Sequence, residues 1–405
     1  MVWSGRQIHH PSLRRRSTAM PVDRTAVVVT TIGDGRFLEH YHSAALAEGV
    51  LDRVTFFVIP DRKTPAALFD RVAEYSARGM RIVCPSLAAQ QEFLDRVAFG
   101  ELVPFDSDNR RNVGYLMALA SNATTIISID DDNFPRPGES YFAEHSVVSG
   151  KPITCNQIKT TDGWFNICSM MDVEPMMVYP RGFPYFARHK ARETLWVETT
   201  ARVAINAGLW LGEPDLDGIT WLACPARAVA LESESAVLGA NTWSPINTQN
   251  TALHRDCIAS YYFARMGYPL TGMMSIDRYG DILSGYLAQA CVKSMGHFIR
   301  VGTPAVDHVR NSHNYLKDAT HEMGCVWLIE DLAGWLTGQK LTGATYAEKY
   351  QCLAGLLDDA AERFHGFIWT DATRGYVHQL AYCMRRWTAA CAAAEQLSSQ
   401  VAQAA

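Results

Sequence analysis

The chain has no run of about 18 apolar residues, no Cys-x-x-Cys pair and no surplus of positive charge. Each absence removes a class of protein. Without a long apolar run there is no transmembrane helix to predict. The ten cysteines are scattered, Cys84, Cys155, Cys168 and Cys224 among them, so they indicate neither a disulfide framework nor a zinc site. Free thiols at such spacings fit a reducing cytoplasm. A net charge of −5, with a sequence pI of about 6.2, argues against an electrostatic nucleic-acid binder. No apolar stretch follows Arg14-Arg15-Arg16, so the start is not a secretory signal. Residues 1–24 read as a disordered leader, with Met20 just ahead of the first strand.

What is present suggests a large core. The 405 residues are 48% hydrophobic and carry strand and helix patterns in alternation. Thr25–Ile32 is β-branched and ends at Gly33-Asp34-Gly35, and a helical pattern runs from Phe37 to Leu46. Arg53–Ile59 is a second strand closing at Pro60-Asp61, followed by a helix from about Pro65 to Arg78. Met80–Cys84 is a short third strand, and helices follow at about Pro85–Phe99 and Asn109–Ser121. Strands and helices at this spacing predict an α/β fold, Rossmann-like, with a mostly parallel sheet and right-handed crossovers. The nucleotide-sugar domain is expected over 25–320, with a helical extension over 321–405 that frays from Ala390 onward.

The organising stretch is Thr125–Ile129 followed by Asp130-Asp131-Asp132. A short apolar run reads as a buried strand, and open α/β sheets bind ligands at strand ends. Adjacent carboxylates repel one another, which a divalent cation with its preference for hard oxygen ligands relieves. Asp132 is the candidate metal ligand, Asp130 a ligand to metal or ribose, and His308 a third ligand through its imidazole. The alternatives are a solvated acidic turn for the aspartates and a structural role for His308. Arg110-Arg111, at a helix start, could hold phosphate or stand as a solvated pair.

Beyond Pro135 the pattern weakens. The segment to about Gly239 is rich in aromatics, Met, Gly and Pro, and reads as pocket-building loops. Two parts stand out, Val178–Tyr185 around Arg181 and Ala207–Asp215 around Trp210. Asp281 opens a helical run over Ile282–Met295, and His308 follows a short strand, Phe298–Val301. Together these residues suit an enzyme that binds a nucleotide-sugar with Mn²⁺ or Mg²⁺. If the sugar passes to an acceptor, Asp281 would act as a general base on its hydroxyl; otherwise it caps the helix.

The block IDDDNF, with PRGFPYFAR and AINAGLWLGEPDLDGIT after it, resembles the reversibly glycosylated polypeptides, or UDP-arabinopyranose mutases, a family of GT-A type glycosyltransferases. TTIGDGRFLEHY, NRRNVGY, INTQNTALHRD, DRYGDILSGY and DHVRNS extend the resemblance in the same order from about Thr25 to Ala319. It implies metal-binding aspartates at Asp130, Asp131 and Asp132 and a reversibly glycosylated arginine at Arg181. It also implies nucleotide-side residues at Asp61 and Arg111, and the family's late histidine at His308. Two departures fall near the expected sugar pocket: Gly280-Asp281 replaces the family's acidic pair, and Ala207 stands where the family has His. The implied reaction is a pyranose/furanose mutation of UDP-arabinose or a related UDP-sugar. The rival is sugar transfer from a UDP-sugar to a small-molecule, nucleoside or nucleic-acid acceptor. Association with itself or with other family members is left open.

Overall fold

The computed structural model describes residues 24–404 except Thr271, Met273 and Ser312. The expected leader, with Arg14–Arg16 and Met20, lies outside the described residues apart from Arg24. The chain opens as β1 (Thr25–Thr31), α1 (Phe37–Ala47), β2 (Val54–Pro60), α2 (Ala66–Ala77), β3 (Arg81–Val83), α3 (Leu87–Arg96), α4 (Arg111–Ala120) and β4 (Thr125–Ile129). These are the strands and helices expected from the sequence, to within a few residues at each end. Then come β5 (Asn133–Pro135), α5 (Tyr141–His145), β6 (Ile153–Thr160), β7 (Met171–Glu174), β8 (Thr194–Ala201) and β9 (Val203–Gly212). α6 (Gly218–Ala223), β10 (Arg227–Leu231), β11 (Ala236–Leu238), β12 (Asn250–His254), β13 (Tyr268–Pro269) and β14 (Ser275–Ile276) follow. The chain closes with α7 (Gly280–Ser294), β15 (Phe298–His308), α8 (Tyr315–Thr337), α9 (Tyr346–Ala361) and α10 (Asp371–Ala404).

The fold is mixed α/β. The main path of the large sheet runs β3-β2-β1-β4-β12-β9-β15-β11-β6-β8. It is parallel through its first four strands, as the alternation of strands and helices predicts, and mixed beyond β4, where β12 joins antiparallel to both β4 and β9. The segment read as loops between Pro135 and Gly239 therefore holds β6 to β11. The run around Trp210 belongs to β9, nine of whose ten residues are buried. Likewise the strand expected over Phe298–Val301 continues to His308.

The C-terminal helices pack onto this body: α10 lies along α9 and α4, and α8 along α6. Trp387 is fully buried, its indole N–H donating to the carbonyl of Ile258 at 2.8 Å. The fraying expected from Ala390 does not occur there, because Ala390, Cys391 and Ala394 are buried on the inner face of α10. No helix among the described residues is long and apolar enough to cross a membrane.

One buried polar relay ties the sheet together. His145 is fully buried and bridges the side chains of Asn250 on β12 and Asn206 on β9, each at 3.0 Å. Burial pushes His145 down to about 4, so it is neutral in the fold while the unfolded chain holds it near 6.5. The unfolded state thus binds the extra proton between those values. Stability is fully present above pH 6.5 and falls as the pH drops toward 4, by on the order of 3 kcal/mol from this group. Denaturant titrations from pH 7.5 to 4 should show that loss, and His145→Gln should flatten its steepest part. An unchanged slope in the variant would remove His145 as the cause.

Candidate functional site

The site begins where β4 stops. Its five residues are all buried, and it is paired on one edge by β1 and on the other by β12. The next residues turn: Asp130 N–H donates to the Gln249 carbonyl at 3.2 Å and Asn133 N–H to the Asp130 carbonyl at 3.3 Å. β5 then pairs antiparallel with β15 so that Asn133 faces His308, and Val309 N–H closes on the Asp132 carbonyl at 3.0 Å. This pairing explains how Asp132 and a histidine far along the chain become neighbours.

A cleft of about 950 Å³ lies over these strand ends. Six of the residues predicted from sequence line it: Arg111, Asp130, Asp132, Arg181, Asp281 and His308. Three do not. Trp210 is held within β9 opposite Val306, only 2% exposed, so it is not available to a sugar in this arrangement. Asp131 turns away and accepts a hydrogen bond from the Thr31 hydroxyl beside Gly33, where an added Cβ would sit 3.0 Å from its carboxylate. Asp61 stays at the edge, its carboxylate accepting from the N–H groups of Arg62 at 2.8 Å and Ser107 at 3.3 Å. It is one step removed from the cleft, since Ser107 lines it.

Asp132 and His308 form a pair. The Nδ1 of His308 lies 2.6 Å from the Glu213 carbonyl, which can only accept, so Nδ1 donates there. Nε2 lies 3.6 Å from Asp132 Oδ2. Burial raises the Asp132 carboxyl, and its contact with His308 outweighs that and holds it below the usual range. Asp130 behaves oppositely. It is 31% exposed, but to the cleft rather than to open solvent, and desolvation there pushes it up to about 6 against the pull of Arg111. One of its oxygens is taken by Arg111 Nη2 at 2.5 Å.

Arg111 is committed to the protein. Its Nη1 reaches Ser128 Oγ at 2.8 Å, the Ile129 carbonyl at 2.7 Å and the Thr248 carbonyl at 3.3 Å, while Nη2 meets Thr30 and Asp130. The guanidinium thus braces β1, β4 and the approach to β12, while its Nε is buried without a hydrogen-bond partner.

Arg181 is held between two buried carboxylates. Its Nε and Nη2 meet Asp215 at 2.8 and 3.1 Å, and Nη2 and Nη1 meet Asp281 at 2.7 and 3.2 Å. A further bond runs from Nη1 to the Arg278 carbonyl. Burial disfavours the charge, but Asp215 and Asp281 more than offset it and hold Arg181 well above the ordinary arginine value. The following Gly182 has φ +82°, and a Cβ there would stand 2.4 Å from Ile282 on α7. Glycine is what lets the loop carry Arg181 onto the start of that helix. Gly182→Ala should cost about 1–3 kcal/mol and lower activity with it; an unchanged melting temperature would show that the loop adapts.

Asp215 was missed as a site residue. It lies at the end of the Ala207–Asp215 run, and nothing in local periodicity links it to Arg181, 34 positions earlier. Asn247 Nδ2 supports it with a bond of 2.8 Å to Oδ2. The two departures also have places in the fold. A Cβ at Gly280 would sit 2.7 Å from the Ala264 carbonyl, so an aspartate there requires that segment to move. Ala207 is a buried position of β9 facing Val301 of β15 and Thr251 of β12.

UDP-arabinopyranose mutase 1 of Arabidopsis thaliana is 25% identical over 263 residues, covering 64% of this chain and 67% of that protein. Probable UDP-arabinopyranose mutase 1 of Solanum tuberosum is 27% identical over 151 residues, covering 37% of this chain and only 38% of that protein. Among solved structures, S. aureus TarS 1–349 in complex with UDP-GlcNAc covers 94% of this chain and 92% of its own, at 12% identity and a TM-score of 0.37. The sequence model described as reversibly glycosylated polypeptide matches residues 91–396. That span is more than half the chain and takes in the aspartate strand, Arg181, Asp215, Asp281 and His308, so the chain belongs to the reversibly glycosylated polypeptide family.

Proposed function

We propose that the chain is a divalent-cation-dependent UDP-sugar enzyme of GT-A type, acting as a pyranose/furanose mutase on UDP-arabinose or a related UDP-sugar. The observation that carries this reading is the buried Asp215-Arg181-Asp281 group on the wall of the cleft that also holds Asp130, Asp132 and His308. Relatives that carry the name UDP-arabinopyranose mutase support the choice of sugar chemistry.

The donor set fits Mn²⁺ or Mg²⁺. Asp132 and Nε2 of His308, 3.6 Å apart, would offer one anionic oxygen and one imidazole nitrogen. No group of three or more His, Cys, Asp and Glu poised to hold a metal occurs among the described residues. Such a cation would therefore take its remaining ligands from water and substrate phosphate, as Mg²⁺ commonly does. When bound, it would supply charge neutralisation for the leaving diphosphate.

The chain's own residues account for the rest. Arg181, fixed and cationic, would face the anomeric carbon region, with Asp281 placed to take a proton 2.7 Å away. If the sugar passes to Arg181, the bond from the anomeric carbon to diphosphate oxygen breaks as one from that carbon to Nη2 forms. The Nη2 proton moves to Asp281. Return of the sugar reverses both changes. The firm charge on Arg181 favours a second reading, sugar transfer to an acceptor, because a guanidinium held charged is a poor nucleophile. Incubation with a panel of UDP-sugars and Mn²⁺ or Mg²⁺ separates the two. The mutase reading expects isomerised UDP-sugar and a transient sugar adduct in the intact mass. UDP release only when an acceptor is added, with no adduct, would establish transfer instead.

A further inference from the structure

The cleft is acidic, which poses a problem for any diphosphate ligand. Eight aspartates line it against five arginines and one lysine. Three of the arginines are spent: Arg111 on Asp130, Arg181 on Asp215 and Asp281, and Arg278 on Asp318 and Glu322. Arg265, Arg310 and Lys317 line the same cleft, and no carboxylate lies within ion-pair distance of any of them among the described residues.

Arg310 stands apart from the other two. It comes two residues after His308, on the segment leaving β15, and its backbone N–H is anchored to Glu213 Oε2 at 3.2 Å. Glu213 also fixes the imidazole of His308, through its carbonyl. The guanidinium lies over the rings of Trp221 and Tyr315, at 5.4 and 6.0 Å from their centroids, and those rings stack on each other at 5.3 Å. Its Nη1 is buried without a hydrogen-bond partner. An arginine that is oriented by aromatic stacking, lacks a counter-ion and sits beside a cation-binding pair is prepared for an anion that arrives from outside. Its charge already reaches Asp132 and Asp215, whose carboxyls it helps keep ionised.

We propose that Arg310 is the guanidinium that grips the diphosphate, with Lys317 and Arg265 as the surrounding cationic wall. The inference rests on the UDP-sugar reading for the identity of the ligand, but the anion site stands on its own geometry. It assigns to Arg310 the phosphate contact that the sequence suggested for Arg111, and it leaves Arg181 free for the sugar end. Arginine suits the task because its planar fork can meet two phosphoryl oxygens at once.

The test is calorimetric binding of UDP, UMP and inorganic pyrophosphate to the full chain in saturating Mn²⁺. Arg310→Gln should weaken UDP and pyrophosphate by about tenfold or more and UMP by less, and Arg310→Lys should fall between. Should Arg310→Gln fold poorly, Arg310→Lys carries the same comparison, with a several-fold loss for UDP expected. Retention of UDP and pyrophosphate affinity within twofold in the folded variant overturns the assignment. A wild type that binds pyrophosphate but not UDP, and loses pyrophosphate on substitution, would keep the clamp and remove the uridine reading. A wild type that binds neither would overturn the clamp.

Discussion

Asp132→Asn is expected to weaken cation-dependent UDP-sugar binding by about 100-fold or more while leaving the fold intact. The loss should exceed the roughly 10–100-fold typical of residues that merely support a metal ligand, because an anionic oxygen is removed from the ligand set itself. The fold should survive because His308 keeps its bond to the Glu213 carbonyl when the carboxylate is replaced. Asp130→Asn makes the contrast. There the carboxylate that leaves is the partner of Arg111, a nearly buried guanidinium, and stability should fall by about 1–3 kcal/mol as well. Titration of Mn²⁺ and UDP-sugar into both variants, with a melting curve for each, decides the matter. Full cation-dependent binding by Asp132→Asn in metal-limited buffer would take Asp132 out of the site.

The second large effect concerns Arg181. Its removal should end turnover and any covalent labelling by a UDP-sugar, and it should also destabilise the protein by about 3–5 kcal/mol. Arg181→Ala leaves Asp215 and Asp281 buried and facing one another without the cation between them. Loss of activity in that variant would not by itself separate chemistry from folding. Two further variants do so. Arg181→Ala combined with Asp281→Asn removes one of the stranded charges and should recover much of the stability but none of the labelling. Arg181→Lys keeps a charge but cannot span two carboxylates with paired bonds, so it should fold, weaken binding modestly and form no adduct. Recovery of labelling in the double variant would show that the sugar is held elsewhere.

The parts of this molecule that could be read from sequence are those whose information is local. From β1 to β4 each strand is a compact apolar run followed by a helix, so period and turn residues placed them, and the strand end carried the aspartates into view. The role of Arg181 came only through resemblance, while His308 was a candidate by residue type against spacing that favoured a structural role. The region from β6 to β11 was not legible, because β6 and β8 form an edge with few buried residues and β9 is broken in pattern by Gly208 and Gly212. Trp210 misled for the same reason: an aromatic among glycines looks like a pocket wall, yet here it is a sheet residue packed opposite Val306. Asp215 escaped because its meaning lies entirely in a contact across the fold.

The sheet order around the site bears on how the protein comes to function during synthesis. β4 emerges early, yet its free edge is closed by β12 some 120 residues later, and β5 next to it must await the end of β15. Pairings of such long sequence separation are slow, since the intervening chain loses entropy before the contact forms. A ribosome-bound chain ending before Thr248 would hold the three aspartates but neither His308, nor the Thr248 carbonyl that Arg111 meets, nor β12 on the edge of β4. It should therefore bind no cation, and the edge of β4 would be the surface on which a chaperone, or another unfinished copy, first takes hold.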